Sequence, residues 1–476
     1  MGAKVLQLLG TESDSGKTQI LSGLISIFRE HRPFPFKAQN MSLNSYVSSD
    51  NGEMAFAQAY QSMVAGIEPV SISNPVLLKP VARSRTEVIF LGKSSGIFDA
   101  KNYWFEIKPD LKERVFSIFG DLVAQKDLVF VEGAGSCSEV NLRKNDFSNL
   151  SLARKFNIPF ILITDIERGG VFAKLIGSYE LMTKKERELF LGIIINKMSG
   201  DPEILREGIK FIQKKTGKKV IGVVPYDFSI TLPEEDSMGF YRIKNLEKRR
   251  TQKKGVSIKV IMTRYISNFF DFYPLEIDSK YNDQINFSFA RFPEEIDGAD
   301  VVILAGSRNV FYDIYFLRES GFYDKIVQAV NKGKFLIGIC GGYEMMFEKI
   351  QDIYGIESNG ETEGFGFFKG TISFEKNKKI FWEKIHIDSP WFSGEIKGFN
   401  IRHGTGEWNF LSRDNIFGTF LHGIFWNDVF REGLYNYFGV DYTNKFPQMF
   451  DIEIKRWSNL ISNNVDIDFI RKEIGL

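Results

Sequence analysis

The 476-residue chain has two cysteines, Cys137 and Cys340, far apart and in no metal-ligand spacing, which excludes a disulfide framework and a thiolate zinc site. It has only four histidines, His31, His386, His403 and His422, so chemistry that needs an imidazole has few places to sit. Neither sign of charge dominates: 61 basic side chains meet 60 acidic ones, which removes the electrostatic footprint of a nucleic-acid binder or a membrane-surface protein. No window approaches the roughly 18 uninterrupted apolar residues of a bilayer span. The start, MGAKVLQLLGTES, reaches Glu12 without a long apolar run and does not read as a signal peptide. These absences predict a cytoplasmic protein in a reducing compartment, with small molecules rather than nucleic acid or a membrane as partners.

What is present describes a folded protein too long for one core: 43% apolar residues, 14% aromatic, 42 glycines against 14 prolines. Short β-branched runs without alternation recur at Lys4–Leu9, Asp127–Val131, Ile158–Ile163, Gly192–Ile195 and Val220–Val224, with helical stretches between them. Strands covered on both faces read this way, so the pattern predicts a parallel sheet of βαβ units over residues 1–243. The polar run KNLEKRRTQKKG predicts a solvated linker over 244–256 rather than a nucleic-acid patch. A second α/β series follows over 257–441, with strands at Ser257–Met262, Asp300–Leu304, Phe335–Ile339 and Ile416–Leu421, and a C-terminal extension over 442–476 ends in VDIDFIRKEIGL. That amphipathic tail carries three acids against two bases, which argues against membrane docking.

The stretch GTESDSGKT lies between an apolar strand and a helix whose Ile20, Leu21, Leu24, Ile25 and Phe28 keep helical spacing. That is the context of a phosphate-binding loop, although five residues rather than the usual four separate Gly10 from Gly16. Loop residues Thr11, Ser15 and Gly16 offer N–H and hydroxyl groups at a helix start, Lys17 suits the outer phosphates of ATP, and the Thr18 hydroxyl suits Mg²⁺. A magnesium site also wants a carboxylate at a neighbouring strand end, and DLVFVEGAGS puts Glu132 there; capping of a turn is its alternative role. Asp165 and Arg168 in ITDIERGGVFA form either a structural ion pair or a phosphate clamp. Asn196 in GIIINKMSGD either reads a purine base or simply ends a strand. In KAQNMSLNSY, Gln39, Asn40 and Asn44 crowd uncharged donors and acceptors into one loop, which suits a ligand bearing amides and carboxyls, though a plain turn cluster would look the same.

In the second half, FLIGICGGYEMM runs an apolar strand into Cys340 and then glycines, the shape of a nucleophile elbow, with a buried structural cysteine as the alternative. A helix start after the thiol lowers its pKa, and the Gly341 N–H can hold an oxyanion. Of the histidines, His422 in IFGTFLHGIF follows an apolar strand and precedes a glycine, which makes it the candidate base; His386 and His403 read as surface residues.

GTESDSGKT, PFKAQNMSLNSY, NPVLLKP, VEGAGS, EVNLRKND, TDIERGGVFA and GIIINKMSGD occur in this order, and together they resemble the cobyric acid synthase family. The N-terminal half of that family is similar to dethiobiotin synthetase, whose phosphate loop also has five residues between its glycines. The second half resembles a class I glutamine amidotransferase domain. The resemblance implies Cys340 as nucleophile and His422 as its proton-transfer partner, Gly306 and Gly341 as oxyanion support, and Asp146 of EVNLRKND among the substrate or phosphate candidates. The glutamate that completes the triad of other class I members is absent after LHG. Ala305 stands where the family usually has proline, Glu344 where it has glutamine, and Asn400 and Arg402 where it has a glutamate and a histidine, which puts glutamine affinity in question.

The implied activity is ATP-, Mg²⁺- and glutamine-dependent amidation of the b, d, e and g carboxylates of adenosylcobyrinic acid a,c-diamide, a corrinoid. Two alternatives stand beside it. One is amidation of another polycarboxylate, such as the a and c groups of cobyrinic acid; the other is a P-loop switch ATPase whose amidotransferase domain is degenerate.

Overall fold

The computed structural model describes residues 2–82, 85–233, 255–442 and 444–476. The predicted polar linker over 244–256 lies outside the described residues except for Gly255 and Val256. The chain is α/β throughout, with two six-stranded sheets, one wholly parallel and the other parallel but for an edge pair.

The first sheet is wholly parallel and runs in the order Lys219–Pro225, Phe190–Met198, Phe160–Asp165, Lys4–Gly10, Leu128–Glu132, Phe34–Phe36. Each of the five apolar runs expected as strands lies in it, displaced by one to three residues at the ends. Its central strand Lys4–Gly10 is buried from Leu6 onward because helices cover both faces. The connection from Gly10 into helix Lys17–Ile27 falls where the strand order reverses, at the carboxyl edge where open α/β sheets bind ligands. A smaller sheet, Gln39–Met41, Val76–Ala82, Arg85–Phe90 and Lys93–Asp99, takes its first strand from the polar stretch KAQNMSLNSY, and none of its strands is marked by an apolar run.

The second sheet orders Ile285–Ala290, Val256–Ile261, Val301–Leu304, Phe335–Ile339, Ile416–Thr419 and Phe410–Arg413, parallel except for the last pair. Beside it stands a long antiparallel hairpin, Phe368–Ser389 with Phe392–Thr405, whose tip turns at Pro390 and Trp391.

The two halves share one apolar cluster. Tyr46, Phe56 and Tyr60 of the first half pack with Phe270, Phe399, Ile401 and the partly buried Trp382 and Trp426 of the second. The Phe56 and Phe270 rings stack 3.9 Å apart and 4° from parallel. The C-terminal extension folds into helices Phe446–Asn464 and Ile467–Ile474. Trp457 and Ile461 of the longer helix sit against Gly23 of the P-loop helix, and Val465 bridges Gly222. The same helix holds the second half through Glu453, which pairs with Lys280 and accepts from the Tyr281 hydroxyl.

Candidate functional site

The phosphate loop is closed by its own geometry and braced by neighbouring strand ends. Asp14 (φ 63°) and Gly16 (φ 89°) both take the left-handed conformation, so the chain turns twice within the loop. A side chain at Gly16 would also strike the Asn196 amide, whose Nδ2 donates to the Ser15 carbonyl at 3.0 Å. Lys197 donates to the Asp14 carbonyl at 2.6 Å, and Arg168 pairs with the Asp14 carboxylate. The Lys17 ammonium lies over the loop, 3.0 Å from both the Glu12 and the Gly135 carbonyls. The Ser15 hydroxyl is buried with no hydrogen-bond partner, a donor available to a phosphate oxygen. Thr11 is tied down through Thr164 at 3.0 Å.

Several candidates stand differently from the sequence expectation. Asp165 and Arg168 do not pair with each other: Asp165 holds Lys197 at 2.9 Å while Arg168 reaches back to the loop. The Asn196 amide braces the loop through its bond to the Ser15 carbonyl. Asp146 accepts from the N–H groups of Ser148, Asn149 and Ser151, so its carboxylate organises the start of helix Leu150–Phe156.

Glu132 ends its strand fully buried and is engaged on both oxygens. Thr18 donates to it at 2.8 Å, Lys37 at 2.7 Å and Gln61 at 2.6 Å. A carboxylate held by a lysine, a hydroxyl and an amide is compensated in a way that burial demands. Among the described residues no group of three or more His, Cys, Asp and Glu side chains gathers as a metal site. One carboxylate beside one hydroxyl still fits Mg²⁺, which keeps most of its ligands as water and phosphate oxygens. From Glu132 the polar contacts continue into the loop at 39–45: Gln61 meets Gln58, which accepts from Asn40 at 2.9 Å, and Gln39 accepts from the Tyr103 hydroxyl at 2.7 Å.

The second centre surrounds Cys340, which follows strand Phe335–Ile339 with φ 49° and ψ −113°. That is a strained backbone for a residue with a Cβ, and it aims a buried thiol away from the sheet. The expected helix is a single turn, Gly341–Glu344, so only that turn's N–H groups face the thiol. A side chain at Gly341 would lie 2.6 Å from the Ser307 nitrogen, which shows how closely the two N–H-bearing segments approach. Gly306, just before it, faces His422.

His422 is buried against Asp271: Nδ1 lies 2.6 Å from the carboxylate, whose other oxygen accepts from the Gly423 N–H at 2.8 Å. Burial pulls the imidazole pKa down, but the Asp271 carboxylate and the adjacent Cys340 outweigh it and raise it from 6.5 to about 10. Asp271 thus occupies the orienting position left vacant after LHG. The sequence reading did not single it out. An acid enclosed in the aromatic run SNFFDFYP is its one signal, because a buried carboxylate there needs a partner. On the other face of the ring, Asn268 Nδ2 lies 3.1 Å from Nε2.

The departures from the family pattern lie together around the thiol. Arg402 donates to Asn400 at 2.9 Å and lies flat over the Phe420 ring, 3.7 Å from its centroid. Burial lowers its pKa, while Cys340 and Glu344 raise it. Burial likewise drives the Glu344 carboxyl up from 4.5 to about 7, against the opposing pull of Arg402 and His422. The Ile401 carbonyl between Asn400 and Arg402 is 3.9 Å from Cys340 Sγ. Ala305 is buried and brings no polar atom to the site. His386 is exposed as expected, and His403 is half-buried: its Nδ1 meets the Glu375 carbonyl at 2.9 Å, and burial with the Lys378 charge lowers its pKa to about 4.

Residues 4–234 match the AAA domain family, and residues 257–430 match the CobB/CobQ-like glutamine amidotransferase domain family. Among curated proteins, the chain is 36% identical to the probable cobyric acid synthase of Thermococcus gammatolerans, covering 99% of this chain and 100% of that one. It is 35% identical to the probable cobyric acid synthase of Thermococcus kodakarensis with the same coverage. With the cobyric acid synthase of Syntrophobacter fumaroxidans it shares 34% identity over 100% of this chain and 99% of the relative. Among the described residues no helix is long and apolar enough to cross a membrane.

Proposed function

The chain belongs to the cobyric acid synthase family, and on that premise we propose that it is an ATP- and glutamine-dependent amidase that converts the b, d, e and g carboxylates of adenosylcobyrinic acid a,c-diamide to amides. The observation that carries the reading is a strained-elbow thiol with an oriented imidazole and a braced phosphate loop, joined in one chain through the polar loop at 39–45.

In the first centre, the loop N–H groups, the Ser15 hydroxyl and Lys17 bind the phosphates of ATP. Thr18 and Glu132 would hold Mg²⁺, which would offset phosphate charge. A corrinoid carboxylate placed by Gln39, Asn40 and Asn44 attacks the terminal phosphorus, ADP leaves, and an acyl phosphate results. Lys37, 2.7 Å from Glu132, stands where it offsets the charge gathering there.

In the second centre, Cys340 gives its proton to His422 Nε2 and the thiolate attacks the side-chain amide carbon of glutamine. The N–H groups around Gly306 and Gly341 hold the oxyanion. As the C–N bond breaks, His422 returns the proton to the leaving nitrogen, and ammonia departs from a thioester. Water then attacks the thioester, His422 takes its proton, and glutamate leaves as the thiol re-forms. The ammonia crosses to the acyl phosphate, forms the C–N bond, loses a proton and expels inorganic phosphate.

The test is to incubate the protein with ATP, Mg²⁺, glutamine and the corrinoid a,c-diamide and to locate new amides by mass spectrometry and NMR. Amides at b, d, e and g, with one ADP and one glutamate for each, are the expected result. ATP hydrolysis with no amide on any corrinoid would favour the switch ATPase instead, and amides confined to a and c of cobyrinic acid would move the activity to that substrate.

A further inference from the structure

Asn268 joins the two centres by a route that the reaction above does not use. It is buried, takes the left-handed conformation (φ 54°), and its Oδ1 accepts from the backbone N–H of Ser45 at 2.8 Å. That bond fixes the orientation of the amide, so the group facing His422 Nε2 at 3.1 Å is the NH₂ donor. On the other side of the ring, the Asp271 carboxylate claims the proton of Nδ1, which leaves Nε2 with the lone pair. The same lone pair has to take the Cys340 proton.

We propose that Asn268 is a positioning residue that restrains the glutamine-cleaving centre until the 39–45 loop of the first half shifts with its acceptor; the proposal rests on the amidase reading. While Asn268 donates to Nε2, that nitrogen's lone pair is occupied and does not accept the Cys340 proton, because a protonated Nε2 would face an N–H donor. Asp271 favours the imidazolium and Asn268 opposes it, so the position of one amide decides between them. The amide cannot turn its oxygen toward Nε2 without breaking the bond to Ser45. When the loop withdraws the Ser45 N–H, that oxygen is released, can rotate to accept from a protonated Nε2, and the thiol can be deprotonated.

The surroundings of Ser45 fit such a coupling. Its hydroxyl accepts from Lys79 at 2.7 Å, and Lys79 also holds Glu53. The next residue back, Asn44, accepts from the Phe269 N–H at 3.2 Å, so the loop touches the 268–269 turn twice. At its other end Asn40 leads through Gln58 and Gln61 to Glu132 at the phosphate loop. Acceptor and nucleotide chemistry at one end of this loop therefore reaches the histidine at the other.

The test compares the full-length wild type with Asn268→Gly and Asn268→Asp. Glycine tolerates the left-handed backbone and deletes the amide, whereas aspartate keeps an acceptor for Ser45 and turns the donor into an acceptor. Glutamate release is measured with and without the corrinoid acceptor and ATP, and amide formation is followed with glutamine and with ammonium. The wild type should cleave glutamine slowly without acceptor and release one glutamate per amide with it. Both variants should cleave glutamine about tenfold faster without acceptor, the scale of one hydrogen bond to a charged group, and release more than one glutamate per amide. Ammonium-driven amidation reports that the fold is intact. Wild-type cleavage that is equally fast with and without acceptor overturns the proposal. So do variants that keep the wild-type coupling or lose glutamine cleavage under every condition. If the wild type forms no amide from either nitrogen source, the amidase reading itself fails, and the proposal falls with it.

Discussion

The Asp271 carboxylate decides how the His422 imidazole is used, since it fixes both the tautomer and the ring plane. Asp271→Asn should therefore lower glutamine-driven amidation by about 10³-fold or more, the scale seen when a triad acid becomes an amide, while ammonium-driven amidation persists. Loss of both would mean that the residue serves only the fold. Cys340 and His422 could be read from the sequence because each leaves an apolar strand directly into glycine. Asp271 could not, because 151 residues separate it from the histidine it serves and only the folded sheet brings them together. Glu344 makes a second prediction. A carboxyl that binds its proton more tightly when folded favours folding at low pH, and that advantage is lost as pH climbs from about 4.5 to about 7. Urea melts should thus show stability falling over that window by on the order of 3 kcal/mol. Glu344→Gln should reduce the fall and leave the contributions of Glu357 and Asp313, whose carboxyls burial also pushes up.

Two elements that carry the domain contact were invisible as runs. Strand Phe368–Ser389 mixes lysines, glutamates and aromatics because Ile372, Phe374, Ile385 and Ile387 pack into the second half's own cores while Lys378 and Trp382 reach the first half, so no single period marks it. Its Lys378 lies buried between Glu53 and Glu87 of the first half, at 2.9 and 2.8 Å. Lys378→Met strands two buried carboxylates with fewer cations and should destabilise the protein by about 3 kcal/mol in denaturant melts; a change under about 0.5 kcal/mol would show that the pair is solvated in solution. Helix Phe446–Asn464 precedes the amphipathic tail VDIDFIRKEIGL, and its apolar face belongs to the P-loop helix: Trp457 donates to the Gln19 carbonyl at 2.6 Å. Trp457→Ala should cost about 3–5 kcal/mol and raise the KM for ATP, because Gln19 lies two residues after Lys17. An unchanged KM would separate the helix from the nucleotide site. The phosphate loop itself was legible, extra residue included, but its bracing by Asn196, Lys197 and Arg168 was not, since these come from strands that become neighbours only in the sheet.

The molecule as a whole is two chemical centres on two sheets, held by an aromatic cluster that lies directly behind the histidine. Phe399 stacks on His422 at 5.5 Å and on Phe270, which in turn stacks on Phe56 of the first half. Such a shared core keeps the source of ammonia and the place of its use in one body, and the account requires nitrogen to pass between them. The most direct measurement is amide formation on the corrinoid by Cys340→Ser, with glutamine and with ammonium salt as alternative nitrogen sources. The glutamine-driven reaction should be lost and the ammonium-driven one should survive near the wild-type rate; amide formation from glutamine that persists in Cys340→Ser would refute the assignment of this thiol as the group that releases ammonia.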